Sequence, residues 1–322
     1  MITDKNSIIK IKTETDGRVS VSVECASRII DVKFTVSEPC GVRTSVDLSV
    51  DGNRAQADFY ITAPELWSMD LPVLYSFSAI ISTENGEEIA DGKFGFRTLS
   101  ANGKNVCLNG VPIFIRGYIR GATAHEHSNN AGLPEREFYR KNISEAKKFG
   151  FNLVRFHSVV PNETFLNVAD ELGMLVHIEL RPPHDIYNNL EEMVTTGNAV
   201  VNDDFLQEVI NRGLNHPSLA VYCIGNEIKN APDGTIHAIK EKIDALDGTR
   251  LFLDTCAWGE NGRQDIDIDV QHLSYYFPFG KHAHMYDDTD NLLVVGHSED
   301  KPLKTDGVNA EISKTLRFSV PL

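Results

Sequence analysis

The hydrophobic pattern of this 322-residue chain changes period near residue 100, and that change limits the folds open to it. Up to about residue 99, apolar side chains recur at every second position in short runs. Val19, Val21 and Val23 alternate with Ser20, Ser22 and Glu24. Val32, Phe34 and Val36 repeat the pattern, followed by Val46, Leu48 and Val50, then Ala57, Phe59 and Ile61, then Tyr75, Phe77 and Ala79. Alternation of this kind sets one face of a strand on a core and the other in water. Asp16-Gly17, Pro39-Cys40-Gly41, Asp51-Gly52-Asn53, Asn85-Gly86 and Asp91-Gly92 break the runs with turn-forming residues. With Ile8–Thr13 in front and Lys93–Leu99 behind, about seven short strands result, the pattern of an antiparallel, immunoglobulin-like β-sandwich. Residues 1–100 hold no group poised for chemistry and are expected to form a structural or spacing module.

From about residue 105 strand-like runs alternate with helical ones. The strands read Pro112–Tyr118, Leu153–Ser158, Leu175–Leu180, Leu219–Ile224, Leu251–Cys256 and Val270–Tyr276. Between them, Pro134 suits a first helical turn, with Phe138, Ala146 and Phe149 on one face and Gly150 as a stop. Asn162 is placed to cap a helix carrying Phe165, Leu166, Ala169 and Leu172, closed by Gly173. Asn202 or Asp203 opens the next, with Phe205, Leu206, Val209 and Leu214 before Pro217. Thr235 opens another, with Ile236, Ile239, Ile243 and Leu246 before Gly248. Such βα repeats, with no glycine-rich dinucleotide fingerprint, predict a (β/α)8 TIM barrel over residues 101–322. About 220 residues follow the junction, short of the roughly 250 a full barrel uses, so the barrel is expected to be incomplete, truncated at about strand seven.

Composition excludes other classes. Basic side chains number 31 against 46 acidic, a net charge of −15. That is the wrong sign for tracking phosphates or docking on anionic lipid. No apolar run approaches the ~20 residues of a membrane helix, and MITDKNSIIK is no secretory leader. The expectation is no nucleic-acid or membrane partner and a cytoplasmic protein, or a periplasmic or secreted one if residues precede Met1. Cys25, Cys40, Cys107, Cys223 and Cys256 lack zinc or redox spacing and read as free thiols, Cys223 and Cys256 as small buried hydrophobes.

Catalytic side chains of such barrels stand at the C-terminal ends of strands. Those ends read Arg116-Gly117-Tyr118, Arg155-Phe156-His157-Ser158, His177 through Arg181, Gly225-Asn226-Glu227, Asp254 through Trp258, and Ser274-Tyr275-Tyr276. Glu227 follows the apolar run Leu219–Ile224 and should emerge at the mouth with Asn226 beside it. A carboxyl held among apolar groups gains the raised pKa of a general acid.

The segment from His216 to Glu227, HPSLAVYCIGNE, resembles the HPS…GNE signature of glycoside hydrolase family 2, which includes β-galactosidases, β-glucuronidases and β-mannosidases. Leu66-Trp67-Ser68, Leu71 through Tyr75 and Phe94-Gly95-Phe96-Arg97-Thr98 resemble the end of that family's immunoglobulin-like domain. Leu108-Asn109-Gly110 with Phe114 through Gly117 resembles its first barrel strand. Phe149 through Asn152, Arg155-Phe156-His157 and Ala169 through Gly173 resemble its second βα unit. The resemblance runs over roughly residues 60 to 280, with the motifs in order. It implies a retaining, exo-acting β-glycosidase with a carbohydrate substrate and no cofactor, in which two carboxyls about 5–5.5 Å apart share the work. Glu227 matches the acid/base. Asn226 matches the contact to the sugar 2-hydroxyl, Arg155 and His157 match residues lining the sugar pocket, and Tyr276 matches a mouth aromatic.

The chain departs from the family in two respects. The family's N-terminal sugar-binding domain has no counterpart. The nucleophile is expected beyond Leu322, with Arg317–Leu322 beginning strand seven and Glu299 the in-chain alternative. Glu179 is expected in an ion pair with Arg116, Arg155 or Arg181. His125-Glu126-His127 and His282-Ala283-His284 with Asp287 and Asp288 read as solvated loops, so no metal is expected. Trp258 and Tyr275 suit either sugar stacking or packing, and Trp258 is taken as a substrate contact. Two other readings are an inactive or carbohydrate-binding remnant, and a barrel glycosidase that cuts internal linkages.

Overall fold

The computed structural model describes residues 7–103, 105–120, 132–157, 159–180, 203–226, 234–256, 266–271, 292–294 and 317–319. The chain divides into two compact units: Met1–Thr98 together with Asn211–Pro217, and Leu99–Ile210 together with Ser218–Leu322.

In the first unit, β1 (Ser7–Thr13), β2 (Arg18–Cys25), β5 (Ser49–Asp51) and β6 (Arg54–Tyr60) form one sheet, in the order β1-β2-β6-β5. A second sheet, ordered β4-β3-β7-β8, is made by β3 (Ile29–Ser37), β4 (Arg43–Asp47), β7 (Tyr75–Thr83) and β8 (Gly86–Phe94). Every pairing in both sheets is antiparallel. Val19, Val21 and Val23 share a core with Phe34, Phe77 and Phe94, as the alternation requires. Phe34 and Phe77 stack with centroids 5.5 Å apart. Asp91-Gly92 is no turn: β8 runs straight through it, and Gly92 pairs with Phe77. A Cβ there would lie 2.5 Å from the Phe77 ring, so the glycine serves packing rather than chain reversal. Lys93–Leu99 is correspondingly not one strand, since β8 ends at Phe94 and the next strand begins at Leu99.

The second unit opens with an antiparallel sheet of β9 (Leu99–Asn102), β10 (Asn105–Leu108) and β11 (Val111–Ile113). Asn109 (φ 53°) and Gly110 (φ 76°) make its second hairpin with the left-handed residues a tight hairpin turn demands. The run Pro112–Tyr118 is therefore divided. Its front belongs to β11, and the first parallel strand is β12 (Arg116–Arg120).

Beyond β12 come β13 (Leu153–Phe156), β14 (Leu175–Glu179), β15 (Leu219–Asn226), β16 (Leu251–Cys256), β17 (Asp269–Gln271), β18 (Leu292–Val294) and β19 (Arg317–Ser319). The helices among the described residues are α1 (Glu135–Lys148), α2 (Glu163–Leu172), α3 (Asp203–Gly213) and α4 (Thr235–Leu246). One parallel sheet has the order β16-β15-β14-β13-β12-β19. The sheet does not close among the described residues, because β17 pairs with β18 in a sheet of its own. Arg317–Ser319 lies beside β12, giving that strand's open edge a parallel partner.

Parity sorts the parallel strands into two faces. Phe156 meets Phe165 of α2 edge-on at 4.7 Å, and Phe165 meets Tyr139 of α1 at 5.1 Å. Asn162 caps α2, its Oδ1 accepting from Phe165 N–H at 2.9 Å, and Gly173 closes the helix in the left-handed region. Tyr139 and Ile143 form the buried line of α1, while Phe149, past the helix end, is 80% exposed. The hydrophobic face read through Phe138, Ala146 and Phe149 is thus rotated by about one position from the real one. No described helix is long and apolar enough to cross a membrane.

Asp247 closes α4 over the sheet. Its carboxylate pairs with Arg250 at 2.7 Å and accepts from Tyr222 Oη at 2.9 Å and from Thr249 Oγ1 at 2.7 Å. Burial pushes this carboxyl up, but the Arg250 charge and the hydrogen bonds outweigh it, and the net shift is below the ordinary 3.8. A pKa lower folded than unfolded gives stability that is full above the unfolded value and is lost as pH falls through the folded one. The melting temperature is expected to fall on acidification below about pH 4, and the fall to be shallower in Asp247→Asn, which starts lower. Equal slopes in a pH series of thermal melts would contradict this.

Candidate active site

The sheet's other face carries Ile119, Arg155, His177, Glu179, Val221 and Cys223, aligned by the registers Ile119↔Arg155, Arg155↔His177, His177↔Val221 and Glu179↔Cys223. In a parallel sheet the side chains of paired residues point the same way, so these groups converge. Arg155 and Glu179 are 1% and 0% exposed. The guanidinium meets one carboxylate oxygen twice, Nε at 2.7 Å and a terminal nitrogen at 2.5 Å. Of the three arginines weighed for Glu179, Arg155 pairs with it, while Arg181 lies outside the described residues. Arg116 stands at the other end of its strand, exposed, with Nε donating to Gly150 O at 2.6 Å. The strand end read as Arg116-Gly117-Tyr118 is in fact Arg120, 8% exposed, its guanidinium 5.4 Å from the Phe165 ring centroid.

His177 is fully buried. Burial first, then the neighbouring Arg155 charge, hold its pKa well below the ordinary 6.5, so it is neutral at physiological pH. Ligand atoms of His177, Glu179 and Cys223 lie within 4.8 Å of one another. The donor types suit zinc, but Glu179 already balances Arg155, and a dication would sit beside a buried guanidinium. The charges oppose a metal here. Cys223 Sγ donates to Gly225 O at 3.2 Å, consistent with a small buried side chain. His177 was not singled out from the sequence; its signal was the period of two through His177 and Glu179 on a strand otherwise apolar.

The site residues fall into two groups. Arg155 lies in the cluster, His157 follows β13 half-buried with its N–H donating to Arg120 O at 2.9 Å, and Asn226 ends β15 paired with Cys256. Glu227, Trp258, Tyr276 and Glu299 lie outside the described residues, as do Tyr275, the His125–His127 triplet and the His282–His284 pair.

Comparison with known proteins decides the family. Residues 99–303 match the family model described as "Glycosyl hydrolases family 2, TIM barrel domain", and residues 2–97 match "Glycosyl hydrolases family 2". The chain belongs to glycosyl hydrolase family 2. A β-galactosidase of Aeromonas hydrophila is 28% identical over 210 residues, covering 62% of this chain and 19% of its own length. One from Kluyveromyces lactis is 28% identical over 263 residues, covering 71% and 25%. A solved β-glycosidase of Bacteroides vulgatus superposes with a TM-score of 0.64 at 20% identity, over 83% of this chain and 34% of that one, a likeness of fold. This family 2 chain thus spans about a sixth to a quarter of the length of the curated relatives it matches.

Proposed function

We propose that the chain is the sandwich-and-barrel part of an exo-acting β-glycosidase that works with retention, and that Glu227 is its acid/base. The observation that carries this reading is the position of β15. It lies inside the parallel sheet, between β14 and β16, and its last described residue is Asn226, which Glu227 follows directly in the sequence. Catalytic groups of barrels occupy the C-terminal ends of strands. The family's β-galactosidases support the reaction class. In the first half-reaction Glu227 protonates the glycosidic oxygen while a second carboxylate attacks the anomeric carbon. In the second, Glu227 takes a proton from water as that water displaces the carboxylate.

Glu179 is unsuited to be the nucleophile, because burial and the Arg155 pair keep it from reaching a sugar carbon. We assign the nucleophile outside the described residues, beyond Leu322 or at Glu299. Asn226 holds the sugar 2-hydroxyl, His157, Trp258 and Tyr276 line the pocket, and Arg155 contributes from beneath it. A 2-hydroxyl bond that tightens in the transition state supplies several kcal/mol. Asn226→Ala is therefore expected to cut kcat/KM on aryl β-glycosides by about 10²-fold or more, and far less on their 2-deoxy analogues. Equal losses on both sugars would remove the assignment.

A further inference from the structure

Two of the family-like stretches, Phe94–Thr98 and His216–Ser218, meet through groups that the glycosidase reading leaves unused. Just before the second, Asn215 lies against β1. Its Nδ2 donates to Ile9 O at 2.8 Å, and its Oδ1 accepts from Ile11 N–H at 3.0 Å. β1 ends its sheet, and residues two apart on a strand turn their backbone groups to the same side. The amide therefore occupies the place of one residue of a further strand, with one donor and one acceptor.

Two residues on, the Pro217 carbonyl accepts from Arg97 Nε at 3.0 Å, in a buried bond. The Pro217 ring packs over Gly95. A Cβ at Gly95 would stand 3.0 Å from Pro217 Cγ and from Trp67 Cβ, so a larger residue would need these neighbours to give by a few tenths of an ångström. Ser218 then donates its N–H to Asp170 Oδ1 at 3.0 Å, and its carbonyl accepts from Val176 N–H at 2.8 Å, where the β14–β15 ladder begins. The ladder is irregular there: Val176 pairs with Leu219 but His177 with Val221, leaving Ala220 as the extra residue. A one-residue slip at such a bulge would turn every side chain to the opposite face, so what holds the chain where the strand begins bears on its register.

We infer that Asn215 and Arg97, by seating Pro217 against Gly95, are positioning residues that set the register of β15 and hence the point at which Glu227 leaves the sheet. The inference rests on Glu227 being the proton donor. It gives the sandwich a task beyond spacing, because β1 and the Gly95–Arg97 stretch hold the chain at the entrance to the catalytic strand.

Two variants test it in the 322-residue chain. Asn215→Ala removes both bonds to β1, and Gly95→Ala pushes the Pro217 ring off its seat. Each is expected to speed amide hydrogen exchange across Leu219–Ile224 by about tenfold, with exchange in β7 unchanged. Wild-type exchange across Leu219–Ile224 in both variants would overturn the inference. With the enzyme active on aryl β-glycosides, a displaced acid should lower kcat more for poor leaving groups than for activated ones, at unchanged KM. Uniform loss on all leaving groups would mean general destabilisation and would also overturn it. Glu227→Gln assayed alongside separates the two readings. If it shows no leaving-group dependence, the proton-donor assignment has failed, and the exchange result alone decides whether β15 is held from the sandwich.

Discussion

Glu179→Ala is expected to destabilise the fold by about 3–5 kcal/mol, the cost of leaving a buried charge without its partner. Arg155 and Glu179 are almost wholly buried, and both guanidinium bonds converge on one carboxylate oxygen. Removing the carboxylate strips the compensation from a cation that cannot reach water. The same logic predicts strong non-additivity. Arg155→Met combined with Glu179→Leu should cost far less than the sum of the single changes, because the double variant leaves no charge behind. Urea unfolding of the three variants reads this directly. A Glu179→Ala midpoint equal to wild type, or strictly additive losses, would show that the pair does not carry the charge balance of the barrel interior.

Glu227→Gln is expected to lower kcat on substrates with poor leaving groups by about 10²–10⁴-fold, the range that one positioned general acid contributes. Glutamine keeps the size and the hydrogen-bonding shape of the side chain but has no acidic proton to give. Aryl glycosides that depart as stable phenolates need little protonation, so bond cleavage should be affected less for them. The second half-reaction still needs a base to activate water, and on these substrates it becomes the slow step. A burst of phenol followed by slow turnover is the expected time course. Stability should change little, which distinguishes this variant from Glu179→Ala.

Much of this was legible in the sequence, and the failures have physical causes. Val19, Val21 and Val23 announced a buried strand face because alternation leaves no other way to hide three valines. Asn162 and Gly173 marked the ends of α2 because capping is local chemistry between near neighbours. Asp91-Gly92 misled because its glycine answers to Phe77 across the sheet, a contact that local propensity does not encode. The division of Pro112–Tyr118 between β11 and β12 escaped for a similar reason: an apolar run does not say whether it bends, and the Asn109-Gly110 hairpin turn decides it. Phe149 was put on one face with Phe138 and Ala146 by helical spacing, whereas the packing of Tyr139 on Phe165 sets the real face of α1.

The site divides the same way. Strand-end position and motif pointed to Asn226 and Glu227, of which Asn226 ends β15 and Glu227 lies outside the described residues, and Arg155 was among the partners weighed for Glu179. The clustering of Arg155, Glu179 and the neutral His177 depends on register between β13, β14 and β15, which one strand's sequence does not specify. Asn215 was missed altogether, because its partners Ile9 and Ile11 lie some two hundred residues away.

The most direct test of the central claim is the product that Glu227→Gln forms from an activated aryl β-glycoside in the presence of azide. An anion needs no general base, so azide should attack the covalent glycosyl-enzyme, restore turnover and leave with the sugar. Because the intermediate already carries one inversion, the account predicts a β-glycosyl azide, identified by its anomeric proton coupling in NMR. An α-glycosyl azide, or turnover that azide does not raise, would contradict Glu227 as the acid/base of a retaining enzyme.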